Sequence, residues 1–200
     1  MSELPPTRWA LSGAATAGYA STFADLVASG ADVDGEARLA DALLGREARV
    51  LDVGSGMGRV AAALAARGHL VSAVEPDPDL VAQSRSTYPD LEVVEADVLA
   101  LDPAVCGRFD LVVCVGNVLV FLADGTERRV LTHLASLLAP GGRVLAGFHL
   151  RGGPTSARRY PPEEFVADVE ASGLVVHQRF GTYELHPPTD DYAVWVLALA

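Results

Sequence analysis

Residues 49–68, "RVLDVGSGMGRVAAALAARG", carry an apolar run into a glycine-rich turn and then into a stretch dominated by alanine. A short apolar segment stopped by glycine reads as a buried strand, and the alanines after Gly58 are strong helix formers. Strand, turn and helix in that order are shared by several nucleotide-binding folds, and the ligand of the turn separates them. A turn built for pyrophosphate gathers backbone N–H groups and basic side chains, whereas one built for a cation presents carboxylates.

Two phosphate readings fail on residue type. The dinucleotide fingerprint asks for glycine at its first, third and sixth positions, and counting from Gly54 puts Arg59 at the sixth. The phosphate loop ends in Gly-Lys, and every one of the 15 Lys+Arg residues here is arginine. What remains is Gly54-x-Gly56-x-Gly58 behind the pair Asp52-Val53. Glycines let a ligand lie against the main chain. Asp52 adds a carboxylate that repels a diphosphate and attracts an ammonium or sulfonium group.

Outward from this unit the chain alternates: strand 49–53, helix 58–67, strand 70–75, helix 78–87, strands 91–95 and 109–115, helix 124–139, strand 143–149 and helix 162–172. That rhythm predicts a parallel sheet covered by helices. Upstream, helical spacing runs over 14–29 (Tyr19, Phe23, Leu26, Val27) and 35–44 (Leu39, Leu43, Leu44), with Gly30 and Gly45 as stops. Asp77-Pro78 reads as cap and first-turn proline, and Asp124 with Glu127 as a capping box. Beyond 172, "LVVHQRF" (174–180) and "YAVWVLAL" (192–199) read as strands joined by "GTYELHPPTDD" (181–191) with no helix between, which favours an antiparallel hairpin.

Two hundred residues, 50% of them hydrophobic, support one well-buried core, so a single domain is expected over 1–200, with 1–34 as an N-terminal helical cap and 35–200 as the core. The balance of 15 basic against 26 acidic side chains leaves no basic stripe for a nucleic acid. Cys106 and Cys114 are too few for a disulfide framework or zinc cluster, and no local spacing of acids and histidines suggests a metal. No compact apolar leader core and no apolar run of about 20 residues is present, so a cytoplasmic protein off the membrane is expected, as monomer or homodimer.

Further acids sit at the ends of later strands. Glu75 closes the second, where a carboxylate can accept two hydrogen bonds from the vicinal hydroxyls of a ribose. Asp97, in "VVEADVLAL", follows the third, and its acceptor oxygens suit an exocyclic amino group such as that of adenine. Strand ends of an open α/β sheet face one crevice, so these groups converge on a ligand with an amine, a ribose and an adenine.

On these residues the chain resembles the class I S-adenosylmethionine-dependent methyltransferases. "VLDVGSGMGRV" is similar to that family's first motif, "VSAVEPDPDLV" to its second-strand acid and "EADVLAL" to the acid after the third strand. "FDLVVCVGNVLVFL" corresponds to its fourth strand and "LLAPGGRVLAGFH" to the approach to its fifth; the five stand in order over residues 49–149. The resemblance implies an α/β, Rossmann-like sheet of seven strands in the order 3-2-1-4-5-7-6, the last antiparallel, with helices on both faces and S-adenosyl-L-methionine as cofactor. It also implies that Asp52, Gly54 and Gly56 contact the methionine part, Glu75 the ribose, and Asp97 with the Val98 backbone the adenine. Ser55 and Pro76 would be further cofactor contacts, and Gly116 and Asn117 would line the wall beside the methyl group.

Methyl transfer from a sulfonium is an in-line displacement in which positioning supplies most of the help. A hydroxyl acceptor needs a base within reach of its proton, and His149 and His186 are the candidates; Tyr19 and Tyr160 are candidates for orienting a substrate. The Arg158-Arg159 pair could grip an acidic one. The short insertions 1–34 and 150–162 suit a modest acceptor pocket and a small molecule. No Asn-Pro-Pro-Tyr run follows the fourth strand, so methylation of a nucleobase amine by that motif is unsupported. Two other readings fit the same residues. One is an NAD-dependent oxidoreductase using the second-strand acid for its ribose, against which Arg59 and Asp52 count; the other is a non-catalytic cofactor-binding protein of the same fold.

Overall fold

The structure, a computed structural model, describes residues 5–13, 18, 26 and 29–200. Its seven strands are β1 Arg49–Val53, β2 Leu70–Glu75, β3 Val93–Glu95, β4 Phe109–Cys114, β5 Leu138–His149, β6 Leu174–Phe180 and β7 Tyr192–Leu199. They form one sheet in the order β3-β2-β1-β4-β5-β7-β6. The first five pair in parallel, while β7 runs antiparallel to both β5 and β6. The described helices are α1 Arg8–Ser12, α2 Gly35–Ala42, α3 Arg59–Ala66, α4 Pro78–Thr87, α5 Pro103–Cys106, α6 Glu127–Ser136 and α7 Pro162–Ala171.

Strands buried on both sides read as continuous apolar runs because alternate residues feed two different cores. Leu51, Val112, Val144 and Trp195 join one cluster, packed under Leu131 and Leu134 of α6 and Phe165 of α7. Val50, Leu111, Leu145 and Val194 join a second, packed under Leu39 of α2 and Leu64 of α3. Helices thus cover both faces, and the carboxyl ends of β1 to β5 stay open to one crevice.

Local chemistry explains the start of α4. Asp77 Oδ1 accepts from Asp79 N at 2.9 Å and Leu80 N at 3.4 Å and caps α4 ahead of Pro78. Other expectations give way. The capping box at Asp124 does not form: α6 starts at Glu127 behind Thr126, which makes no side-chain cap, and Asp124 pairs with Arg8 instead. Helix α2 closes on Leu43, short of Gly45, with the Leu43 N–H bonded to Leu39 and Ala40 carbonyls. Strand β5 begins at Leu138, ahead of the expected 143, because the stretch 139–142 bulges out of register against β4, with Gly141 at φ 78°. The helix expected over 14–29 falls largely outside the described residues. Instead α1, unforeseen, is capped by Thr7, whose hydroxyl accepts from Ala10 N at 3.1 Å.

Candidate functional site

The glycine turn is held open by its own backbone and by a neighbour. Gly54, Gly56 and Gly58 take φ of 63°, 57° and 86°, the left-handed region that L side chains rarely adopt. A Cβ on Gly54 would stand 2.7 Å from a Val118 methyl, so the main chain itself forms the surface there. Gly54 N and Ser55 N both donate to the Val74 carbonyl, at 2.9 and 3.2 Å, which straps the turn to β2.

Glu75 does the rest of the fastening. Its Oε2 accepts from Gly56 N at 2.9 Å and its Oε1 from Asp77 N at 2.9 Å. The side chain is buried, and burial pushes its carboxyl pKa up against the pull of those two N–H groups. Sequence reading assigned Glu75 only a ligand role; its bonds to the turn bridge residues 19 apart and leave no local pattern. The two uses are compatible, because each carboxylate oxygen has a second lone pair.

Around this turn lies a cavity of about 340 Å³. Gly54, Gly56, Glu75, Pro76, Asp97, Val98, Gly116 and Asn117, from the ends of the first four strands, line it. Asp97 Oδ1 accepts from Leu99 N at 2.8 Å, capping the short turn Val98–Ala100 and presenting that backbone to the cavity. Thr7, Trp9 and Phe121 also line it.

Asp52 and Ser55 lie in a separate niche of about 30 Å³ with Arg59; Gly54 and Gly116 border both spaces. Asp52 is 2% exposed, and its Oδ2, like Ser55 Oγ, is buried without a hydrogen-bond partner in the protein. Desolvation raises the Asp52 pKa to about 7, against the lowering effect of Arg59 and of the Ala61 N–H. Arg59 is gripped by Glu36, at 2.7 and 3.0 Å, and by the Val33 carbonyl. One guanidinium therefore faces two carboxylates, and with Asp52 ionised the niche is net negative. An orphaned carboxylate oxygen fits an ammonium group, and the neighbouring cavity fits the nucleoside attached to it.

Beyond Asn117 the crevice continues into a second cleft of about 350 Å³, lined by His149, Arg151, Gly153, Arg158 and Arg159, with Pro154 shared between the two. The His149 ring Nδ1 lies 3.0 Å from Asn117 Oδ1, and the ring stands edge-on to Tyr192 at 4.8 Å between centroids. Burial lowers its pKa.

A family model for a methyltransferase domain matches residues 50–142. The crystal structure of a TehB-like S-adenosylmethionine-dependent methyltransferase from Corynebacterium glutamicum superposes with a TM-score of 0.82 at 30% identity, over 92% of this chain and 98% of that one. The chain belongs to the class I S-adenosylmethionine-dependent methyltransferases. Among curated proteins, a ubiquinone biosynthesis O-methyltransferase from Xanthomonas axonopodis is 36% identical over 103 residues, 48% of this chain; the match spans only 41% of that protein's length. The methyltransferase CcbJ of Streptomyces caelestis shares the fold, with a TM-score of 0.75 at 20% identity over 84% of this chain and 90% of that one. The nicotinamide alternative falls with this membership, and S-adenosylmethionine is the cofactor of the family to which the crevice belongs.

Within this methyltransferase the weaker candidates separate. Tyr160 does not reach the crevice: it is fully buried, packs on Phe148 and Phe165, and donates to Asp168 Oδ2 at 2.7 Å. Its loop reads as polar, but the aromatic cluster draws the ring into the core. Arg158 is likewise occupied, paired with Glu127 and Glu164. His186 sits on the exposed β6–β7 loop with Nδ1 3.1 Å from Thr182 Oγ1 and lines neither cavity. Tyr19 lies outside the described residues. Asn117 caps nothing with its side chain; at φ 77° it turns its amide to His149 instead. Trp9 and Phe121 went unforeseen.

Proposed function

We propose that this chain transfers a methyl group from S-adenosylmethionine to a small-molecule acceptor bound in the cleft over residues 149–159. The observation that carries the reading is the meeting of the two cavities at Pro154 and at the Asn117–His149 pair. One holds the acids expected for a nucleoside and the other a titratable base. The sulfonium supplies an electrophilic methyl; the carbon–sulfur bond breaks as the acceptor's lone pair forms the new bond.

Each residue then has a task. Asp52 takes the ammonium, Glu75 the ribose hydroxyls and Asp97 with the Val98 N–H the adenine, while Gly54, Ser55, Gly56, Pro76 and Gly116 shape the pocket. Neutral His149 accepts the acceptor's proton at Nε2, which suits a hydroxyl, the group modified by the curated relative named an O-methyltransferase. Residues 35–200 form one catalytic domain, with the described part of 1–34 as its cap. A net charge of −11 disfavours nucleic-acid substrates, and two free thiols suit a reducing cytoplasm. No helix among the described residues is long and apolar enough to cross a membrane.

Calorimetry with S-adenosylhomocysteine, followed by a screen of small hydroxyl, amine and carbon acceptors for product release, tests the reading. Binding with turnover on a hydroxyl compound is expected. A folded chain that fails to bind the nucleoside ends it.

A further inference from the structure

Helix α1 contributes nothing to the sheet, yet Thr7 and Trp9 line the cavity around the glycine turn beside Glu75, Asp97 and Phe121. The segment is fastened to both rims of the crevice. On one side the Trp9 indole N–H donates to Asp77 Oδ2 at 2.7 Å, in the loop between β2 and α4. On the other the Trp9 main-chain N–H donates to the Phe121 carbonyl at 3.4 Å and the two rings meet edge to face, centroids 5.4 Å apart. Arg8 adds an ion pair with Asp124. Asp77 follows β2 and Phe121 follows β4, and these strands flank β1 on opposite sides. The segment therefore crosses the mouth of the pocket over the glycine turn.

The crossing element is chemically suited to what lies beneath it. Indole offers a flat apolar face with one polar tip, and here Asp77 satisfies the tip, leaving the ring as wall. Asp77 also donates its own N–H to Glu75 Oε1, so the latch and the ribose acid belong to one hydrogen-bonded unit. Aromatic walls bind purines without needing hydrogen bonds to the base.

We propose that Trp9 is a cofactor-retaining residue, whose indole closes the pocket over the adenosine part of S-adenosylmethionine. The contacts of Trp9 to Asp77 and Phe121 must part before the nucleoside can leave. This rests on the cofactor reading above. The strap sets how long product stays bound, and it gives the crevice a wall that no sheet-end motif supplies.

The chain has two tryptophans, and Trp195 is buried in β7, 2% exposed, so a change in emission on nucleoside binding reports Trp9. Calorimetry and stopped-flow fluorescence with S-adenosylhomocysteine are run on the wild-type chain, W9A and W9F. W9A is expected to raise the Kd about tenfold or more, chiefly through faster dissociation. W9F, which keeps a ring against Phe121 and loses the donor to Asp77, should raise it about threefold and serves if W9A folds poorly. The emission change should vanish in both. Wild-type Kd and dissociation rate in W9F and W9A, or an emission change that survives in W9F, overturn the strap and leave the cofactor reading standing. No binding by the wild-type chain overturns both.

Discussion

The side-chain oxygen of Asn117 accepts two hydrogen bonds from His149, from the main-chain N–H at 2.9 Å and from ring Nδ1 at 3.0 Å. The main-chain donor fixes which way the amide points, since its NH2 cannot face another N–H. Nδ1 must then carry the proton, and Nε2 keeps its lone pair. Burial holds the ring's pKa below the ordinary value of 6.5, so it is neutral at pH 7 and ready to accept a proton. With a hydroxyl acceptor, H149Q should lower kcat by about 10²–10⁴ while leaving the Kd for S-adenosylhomocysteine unchanged. Wild-type kcat should fall only as pH drops below the usual imidazole range. An undiminished kcat in H149Q removes the base.

Asp52 makes the free protein and the complex respond to pH in opposite senses. Its folded pKa of about 7 lies above the ordinary 3.8, so the folded chain holds a proton that the unfolded chain has released. Stability from this group is complete below the ordinary value and is lost as pH climbs through the folded one. An ammonium in the niche favours the carboxylate, so nucleoside binding should release a proton and tighten with rising pH, by at most about tenfold per pH unit below 7. D52N should flatten both profiles. Calorimetry in buffers of different ionisation heat measures the proton directly, and equal heats across them would contradict the assignment.

Glu75 serves the turn and the proposed ribose at once, and the two roles have different signatures. E75Q sets an amide NH2 against one of two backbone donors, which should cost about 1–3 kcal/mol of stability, read as a lower melting temperature. The ribose role is isolated by coupling. Wild-type protein should discriminate S-adenosylhomocysteine from its 2′,3′-dideoxy analogue, and E75Q should not. Equal discrimination by both would confine Glu75 to the turn.

Tyr160 supplies the contrasting case. Y160F keeps the ring among Phe148 and Phe165 and removes only the bond to Asp168, which Arg128 continues to hold at 2.7 Å. A loss of about 1 kcal/mol in urea unfolding, with kcat and KM unchanged, is expected. A raised KM would return this residue to the substrate.

The sheet was legible because the central strands are buried on both faces, and Val50 to Val53 or Leu111 to Cys114 leave no other use for such runs. The acids at strand ends were legible for the converse reason, being charges where the pattern is otherwise apolar. Relationships across long separations were not. Trp9 reaches Asp77 across 68 positions, and nothing in "PPTRWALS" marks that indole as a wall. Tyr160, next to two arginines and two prolines, reads as loop surface; only the stacking of Phe148, Phe165 and Trp195 draws it inside. The capping pattern at Asp124 was sound locally, but α6 starts at Glu127 behind Thr126, and the exposed Asp124 pairs with Arg8.

Strand β7 is threaded between β5 and β6, with pairs such as Ala146 with Trp195 on one side and Phe180 with Val194 on the other. Until residues 192–199 are in place, β5 presents an apolar edge with its hydrogen-bonding groups unpaired, which is the kind of template on which chains aggregate. The β6–β7 hairpin is local in sequence and can form first, docking as a unit onto β5. Substitutions that slow this hairpin should therefore lower soluble yield at high concentration well before they lower the melting temperature of protein that has already folded.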